Sequence, residues 1–313
     1  MAQEVHEHLN LKPGDVCVDC TLGGAGHAFQ TLQAIVPGGL LIAIDQDADA
    51  ICHARKRLNR FKDNVRLFHN NFSNLPLILN ECGIKGVNAV LLDLGFSFNQ
   101  IKNSGRGFSF KRNEPLDMRM DVRSSLTAFE IVNSFSENVL VDIFFRYGEE
   151  KFSRRIAKKI VQIRAITPIE TADHLAQIIA DTIPQKYPKS SKYSRKPNKQ
   201  RIHPATKVFQ ALRIAVNKEL EHLENFMADL PSFLLKEGRF CAISFHSLED
   251  RIVKQALRRY EKGCICPPDL PVCGCGVVPL MKSVFRKALL PSKKEIEQNP
   301  MARSARLRVA KKI

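Results

Sequence analysis

The sequence predicts an α/β protein: an open, mostly parallel sheet with helices on both faces, interrupted by an inserted all-helical domain. Three observations carry this. Apolar runs that end in an acid recur at residues 16–19, 40–45 and 87–93. Helical periodicity fills the stretches between them through about the first 110 residues. From about residue 121 to 205 no strand pattern occurs, and after that the alternation returns.

In chain order, residues 16–21 form the first expected strand. The glycine turn at 23–26 follows, and a helix starts near Gly26. Residues 40–45 form the second strand. A helix over 48–58 has Asp47 or Asp49 near its cap. Residues 65–68 read as a short third strand and 87–95 as a fourth that ends in Asp93 and Gly95. Residues 96–120 are polar, basic and loop-like. Helices are expected within 125–183, including a basic amphipathic one over 151–163 and another over 171–183. Residues 185–201 are too polar and too punctuated by proline to pack. Tyr187 and Tyr193 in that loop could stack on bases, or the segment could be a solvated linker. Residues 208–235 read as mostly helical, 238–245 as a buried strand and 248–260 as a helix. Final strands are expected at 284–289 and 306–310. The resulting division is 1–120, an inserted helical domain at 121–205, and 206–313.

Composition narrows the class of partner. The chain has 313 residues, with 48 Lys+Arg against 32 Asp+Glu and a net charge of +16. With an isoelectric point near 9.6, that balance favours a polyanion, nucleic acid first. No apolar run approaches the ~18 residues of a membrane span. The first residues lack the basic and apolar regions of a secretory signal. Nine cysteines, an odd number, then indicate a reducing cytoplasm and not a disulfide framework.

The turn at Asp19-Cys20-Thr21-Leu22-Gly23-Gly24-Ala25-Gly26-His27 is built for close approach of a ligand. Glycines allow a positive φ and remove the Cβ atoms that would hold a ligand away. Asp45, ending the second strand, stands where an acid takes the ribose hydroxyls of an adenosine. Dinucleotide turns read G-x-G-x-x-G and seat a pyrophosphate, and this spacing does not fit. An acid beside the turn repels phosphate and suits an ammonium group. S-adenosylmethionine is therefore the favoured cofactor, an ordinary tight turn being the plain alternative.

Cys264-Ile265-Cys266 and Cys273-Gly274-Cys275 place four thiols within twelve residues. Such a set could hold one tetrahedral zinc. C-x-C is tighter than the common C-x-x-C, and four reduced thiols in a surface loop remain the alternative. Cys17, Cys20, Cys52, Cys82 and Cys241 read as small apolar residues.

Longer motifs follow one another in order. They include Asp93-Leu94-Gly95-Phe96-Ser97, Arg106-Gly107-Phe108-Ser109-Phe110, Pro115-Leu116-Asp117-Met118-Arg119-Met120 and Tyr147-Gly148-Glu149-Glu150. His203-Pro204-Ala205-Thr206-Lys207, Ser244-Phe245-His246-Ser247-Leu248-Glu249-Asp250-Arg251 and Asn299-Pro300-Met301-Ala302-Arg303-Ser304 complete the set. From about residue 4 to the end, the sequence closely resembles the RsmH (MraW) family of small-subunit ribosomal RNA methyltransferases. The resemblance implies a Rossmann-like, S-adenosylmethionine-dependent methyltransferase sheet with an inserted helical domain. It implies methyl transfer to the exocyclic N4 of a cytidine in the decoding region of small-subunit (16S) rRNA. The substrate it implies is an assembled small subunit, met by a monomer or homodimer. Carried over position by position, the cofactor contacts are Ala25, Gly26 and His27 on the turn, Asp45 at the ribose, Phe72 near the adenine, and Asp93 and Gln100 near the methionine end. The family's usual glycine is Ala25 here, and its Val-Ser-Ser-Pro-Gln reads Phe96-Ser97-Phe98-Asn99-Gln100. The family's usual His-x-Pro-Val segment lies ahead of the point where this sequence begins.

Cytosine N4 is conjugated into its ring and nucleophiles of that kind are weak. Alignment with the methyl group and a hydrogen-bond acceptor for the developing charge are the main requirements. Candidate acceptors are Asp93, Asp117 and His246. Asp117 could instead pair with Arg119, and His246 could cap the helix that follows it. Lys151, Arg154, Arg155, Lys158 and Lys159 fall at helical spacing and are the expected RNA phosphate contacts, with a solvated basic face as the alternative.

Overall fold

The computed structural model describes residues 1–95, 104–110, 112–184, 203–264, 266 and 274–313. The chain divides into two compact units, Met1–Ser97 with Leu220–Ile313, and Phe98–Glu219.

The first unit begins with helix α1 (Ala2–Leu9), strand β1 (Val16–Asp19), helix α2 (Gly26–Ile35) and strand β2 (Leu40–Asp45). Helix α3 (Ala48–Arg57), strand β3 (Val65–His69), helix α4 (Leu75–Glu81) and strand β4 (Val87–Asp93) follow. Asp47 caps α3 by accepting from the Asp49 N–H, and Arg55, Lys56 and Arg57 occupy its last turn, where cations favour the helix dipole.

The second unit contains helices α5 (Ala128–Ser134), α6 (Glu137–Arg146), α7 (Ser153–Arg164), α8 (Ala172–Thr182) and α9 (Thr206–Asn217). A capping box between Thr127 and Glu130 starts α5. The basic helix falls at α7, where Ile156, Ala157 and Ile160 are buried while Arg154, Arg155, Lys158 and Lys159 are exposed. One apolar cluster joins these helices and takes in Leu116 and Met118 before them and Ala205, Val208, Phe209 and Leu212 of the α9 segment. For that reason the helical unit reaches beyond 121–205 on both sides.

The chain returns through α10 (Glu219–Phe233), β5 (Leu234–Ser244), α11 (Ser247–Lys262), β6 (Met281–Ser283), α12 (Lys293–Gln298) and β7 (Arg306–Lys312). The stretch over 208–235, expected to be mostly helical, is two helices separated at Lys218 in a left-handed conformation with φ 49°. The strand expected at 284–289 lies instead at Met281–Ser283. Beyond it the chain meets β7 again through the Val284 N–H, which donates to the Val309 carbonyl, and a bridge between Leu289 and Leu307.

The sheet order is β3-β2-β1-β4-β5-β7-β6. The first five strands are parallel, and β7 runs antiparallel to both β5 and β6. Successive residues of each central strand enter opposite cores. Ile42, Ile44, Val90, Leu92 and Phe240 face one apolar cluster, and Leu41, Ala43, Ala89, Leu91 and Cys241 the other. Burial on both faces explains why these strands are continuously apolar instead of alternating with polar residues. Their carboxyl ends lie along one edge, and the acids end there. Among the described residues no helix is long and apolar enough to cross a membrane.

Candidate functional site

Three strand-end acids and one turn make the site in the first unit. Asp19 ends β1 and is 2% exposed. Its Oδ1 accepts from the Thr21 N–H at 3.1 Å, while its Oδ2 is buried with no hydrogen-bond partner. Burial pushes its carboxyl up to about 7, and the neighbouring Asp45 charge adds to the rise. Asp93 ends β4. Its N–H donates to Thr21 Oγ1 at 2.7 Å, and its Oδ1 is likewise buried and unmatched. Burial, then repulsion from Asp19 and Glu249, raise its carboxyl to about 7. Both effects disfavour the anion.

Asp45 differs, because the backbone occupies both of its oxygens. It accepts from the Gly23 N–H at 2.8 Å and the Asp47 N–H at 2.9 Å. Burial still raises its carboxyl to about 6, with those two hydrogen bonds opposing the rise. Asp45 therefore fixes the turn as well as lining it. The turn enters α2 through Gly23 at φ 47° and Ala25 at φ 56°. A left-handed alanine is strained by about 1–2 kcal/mol, a cost that a glycine in its place would remove. A Cβ built on Gly24 or Gly26 would meet nothing within 4 Å. The space those glycines leave is open.

His27, on the first turn of α2, directs Nε2 to within 3.9 Å of Asp93 Oδ2. Its Nδ1 is buried without a partner, and its ring stacks on His6 with centroids 5.7 Å apart. Burial, then the His6 and N-terminal charges, lower its pKa to about 4, so the ring is neutral near pH 7. Phe72 begins a short helical turn after β3 and meets Phe226 edge to face at 5.5 Å. That contact leaves Phe72 half-buried.

Of the expected site residues, Ala25, Gly26, His27, Asp45, Phe72 and Asp93 all belong to this unit. Gln100, Phe98, Tyr187, Tyr193 and Cys273 lie outside the described residues. Asp117 belongs to the helical unit, where Arg119 grips it through Nε to Oδ1 at 2.8 Å and Nη2 to Oδ2 at 2.7 Å. The Arg119 pairing holds its carboxyl below the usual range despite opposing burial. His246 is the N-cap of α11. It accepts from the Glu249 N–H through Nδ1 at 3.4 Å and places Nε2 3.1 Å from Glu249 Oε1.

Two features depend on the tertiary structure. Asp19, read from sequence as the acid beside the glycine turn, lies with Asp93 at the strand ends, a pairing that only the sheet order brings about. A basic groove in the same unit is lined by Lys254, Arg258, Arg286, Lys287, Arg306 and Arg308. These residues come from three separated segments, so no local run of charge announces them.

The chemistry of the donors fits an adenosyl cofactor. Two buried carboxylate oxygens without donors, beside an open glycine turn, form a seat for a cationic amino-acid end. The strand order and the acid-lined glycine turn at the strand ends are those of a Rossmann-like methyltransferase fold.

The sequence matches the MraW methylase family over residues 1–313. The chain belongs to that family. It is 55% identical over 313 residues to the ribosomal RNA small subunit methyltransferase H of Desulforapulum autotrophicum, covering 100% of this chain and 97% of that protein. Its identity to the protein of the same name from Desulfosudis oleivorans is 48%, over 97% and 95% of the two chains. A solved structure described as a putative rRNA-methylase from Clostridium thermocellum aligns over 99% of this chain and 96% of that one, with a TM-score of 0.46 and 12% identity.

Proposed function

We propose that the protein transfers the methyl group of S-adenosylmethionine to the exocyclic N4 of one cytidine in the decoding region of 16S rRNA, in the cytoplasm and on an assembled small subunit. The observation that carries the reading is the pair of unmatched carboxylate oxygens, Asp19 Oδ2 and Asp93 Oδ1, at the strand ends beside the glycine turn. The names of the 55% and 48% identical relatives supply the substrate class.

In this reading Ala25, Gly26 and His27 line the cofactor, Asp45 takes its ribose, Phe72 flanks its adenine and Gln100 lies near its methionine end. Asp19 and Asp93 hold the ammonium. The cofactor, when bound, supplies an electrophilic methyl on a sulfonium. Asp93 has a second role. Its carboxylate accepts a hydrogen bond from the amino group as that nitrogen gains positive charge, in a site already buried and oriented. The ammonium of the bound cofactor favours ionised Asp93, so the acid becomes an acceptor as the site fills. His27 stays neutral and orients Asp93. Asp117 and His246 position backbone: Asp117 organises the loop carrying Arg119, and His246 with Glu249 fixes the start of α11.

RNA affinity comes from cations. The exposed face of α7 offers Arg154, Arg155, Lys158 and Lys159, and Lys151 extends it. The groove around Arg258 and Arg286 adds a second phosphate surface. Phosphate neutralisation gives affinity without sequence selectivity. The target base must leave its stack to reach the cofactor.

The test is methyl transfer from labelled cofactor to small subunits taken from a strain lacking this enzyme, followed by nucleoside analysis. N4-methylcytidine at a single site is expected. Cofactor binding without transfer would contradict an enzymatic role and favour a ribosome-assembly factor.

A further inference from the structure

Helix α11 ends at Lys262, and strand β6 begins at Met281. Among the described residues of the chain between them, few apolar side chains are buried. Val277 and Val278 are 42% and 64% exposed. Its base is nevertheless closed. The Leu280 N–H donates to the Tyr260 carbonyl at 2.9 Å. Gly263, at φ 69°, lies so close to the segment returning to β6 that a Cβ would stand 2.6 Å from the Pro279 nitrogen.

Within this closed loop the sulfurs of Cys264, Cys266 and Cys275 lie within 4.8 Å of one another. Cys264 Sγ and Cys275 Sγ are 3.8 Å apart. That separation is far longer than the about 2.05 Å of a disulfide bond. It matches an edge of a tetrahedral thiolate site: sulfurs about 2.3 Å from zinc stand about 3.8 Å apart at the tetrahedral angle. The Cys266 N–H donates to Cys264 Sγ at 3.4 Å. The tight C-x-C spacing is what allows this contact.

We infer that Cys264, Cys266 and Cys275 hold a structural zinc ion that fixes the segment between α11 and β6. Three thiolates occupy three corners of the tetrahedron. The fourth belongs to another ligand, and Cys273, outside the described residues, is two positions from Cys275 in the sequence. The ion takes the place of a hydrophobic core in this loop. The site is separate from the strand-end acids in sequence and takes no part in the proposed methyl transfer.

The experiment is elemental analysis of the full chain purified without chelator, with the variants Cys264→Ser and Cys275→Ser, and Cys52→Ser as a control outside the loop. About one zinc per chain is expected for the wild type and for Cys52→Ser, with at least a tenfold loss in the other two. If those variants fail to fold, cobalt replacement in the wild type decides. Tetrahedral cobalt bands in the visible and a thiolate charge-transfer band in the near ultraviolet are expected. Folded wild-type protein with under about a tenth of an equivalent of zinc and no such bands overturns the inference. So does a disulfide among these cysteines in peptides mapped without reduction.

Discussion

The Asp93 N–H donates to the side-chain oxygen of Thr21 at 2.7 Å. This bond ties the end of β4 to the turn that follows β1. Thr21 also donates its own N–H to Asp19, so one residue sets the spacing of both acids. Thr21→Val keeps the shape and removes the acceptor. We expect a stability loss of about 1–2 kcal/mol in urea unfolding, with weaker cofactor binding by calorimetry. Unchanged affinity would separate the turn from the site.

The raised acids oppose folding at neutral pH. Asp93 in the folded chain titrates near 7, against about 3.9 in an unfolded chain. Between those values the folded state holds a proton that the unfolded state releases, so this group's contribution to stability falls as pH rises from about 4 to about 7. His27, lowered to about 4, has the opposite slope between about 4 and 6.5. Comparison with Asp93→Asn isolates the acid. Without cofactor, the variant should be the more stable protein at pH 8, and its advantage should shrink towards pH 5. A difference that does not vary with pH would contradict the shift.

Asp250 works the other way. It is buried at the start of α11 and accepts from Arg308 Nε at 2.7 Å and Arg306 Nη1 at 3.0 Å. These arginines hold its carboxyl below the usual range against opposing burial. Asp250→Ala leaves Arg308 uncompensated and should cost about 2–4 kcal/mol. The wild-type contribution is present above the unfolded value of about 3.9 and is lost as pH falls through the lower folded value. Urea midpoints for the two proteins should therefore converge only in strong acid.

Gly148 gives the Tyr147-Gly148-Glu149-Glu150 motif a packing reason. A Cβ there would stand 2.6 Å from the Lys207 carbonyl oxygen and 2.7 Å from that of Phe144. The end of α6 thus approaches the start of α9 backbone to backbone. Gly148→Ala should cost about 1–3 kcal/mol through this overpacking, read in thermal unfolding.

Much of the sheet was legible because its strands are buried on both faces and stop at acids, as at Asp19, Asp45 and Asp93. Residues 284–289 misled because Val284, Phe285 and Leu289 look strand-like, whereas the segment meets β7 through one backbone hydrogen bond at Val284 and a two-bond bridge at Leu289 and forms no strand. The place of α9 was illegible for another reason. An apolar face at Val208, Phe209 and Leu212 shows that a helix is buried, but not which core receives it. His246 was read both as a hydrogen-bond acceptor for the target amino group and as a cap, and the structure shows the cap contact from the Glu249 N–H. The basic groove depends on β7 lying beside β5, a tertiary fact with no local signal.

The central claim is that Asp19 and Asp93 form the seat of the cofactor's ammonium. The direct measurement is the calorimetric affinity of Asp19→Asn and Asp93→Asn for S-adenosylmethionine and for methylthioadenosine, which lacks the amino-acid end. Each variant should bind S-adenosylmethionine at least about tenfold more weakly, the equivalent of ~1.4 kcal/mol, while binding methylthioadenosine as the wild type does. Equal losses for both ligands, or none for either, would contradict the assignment.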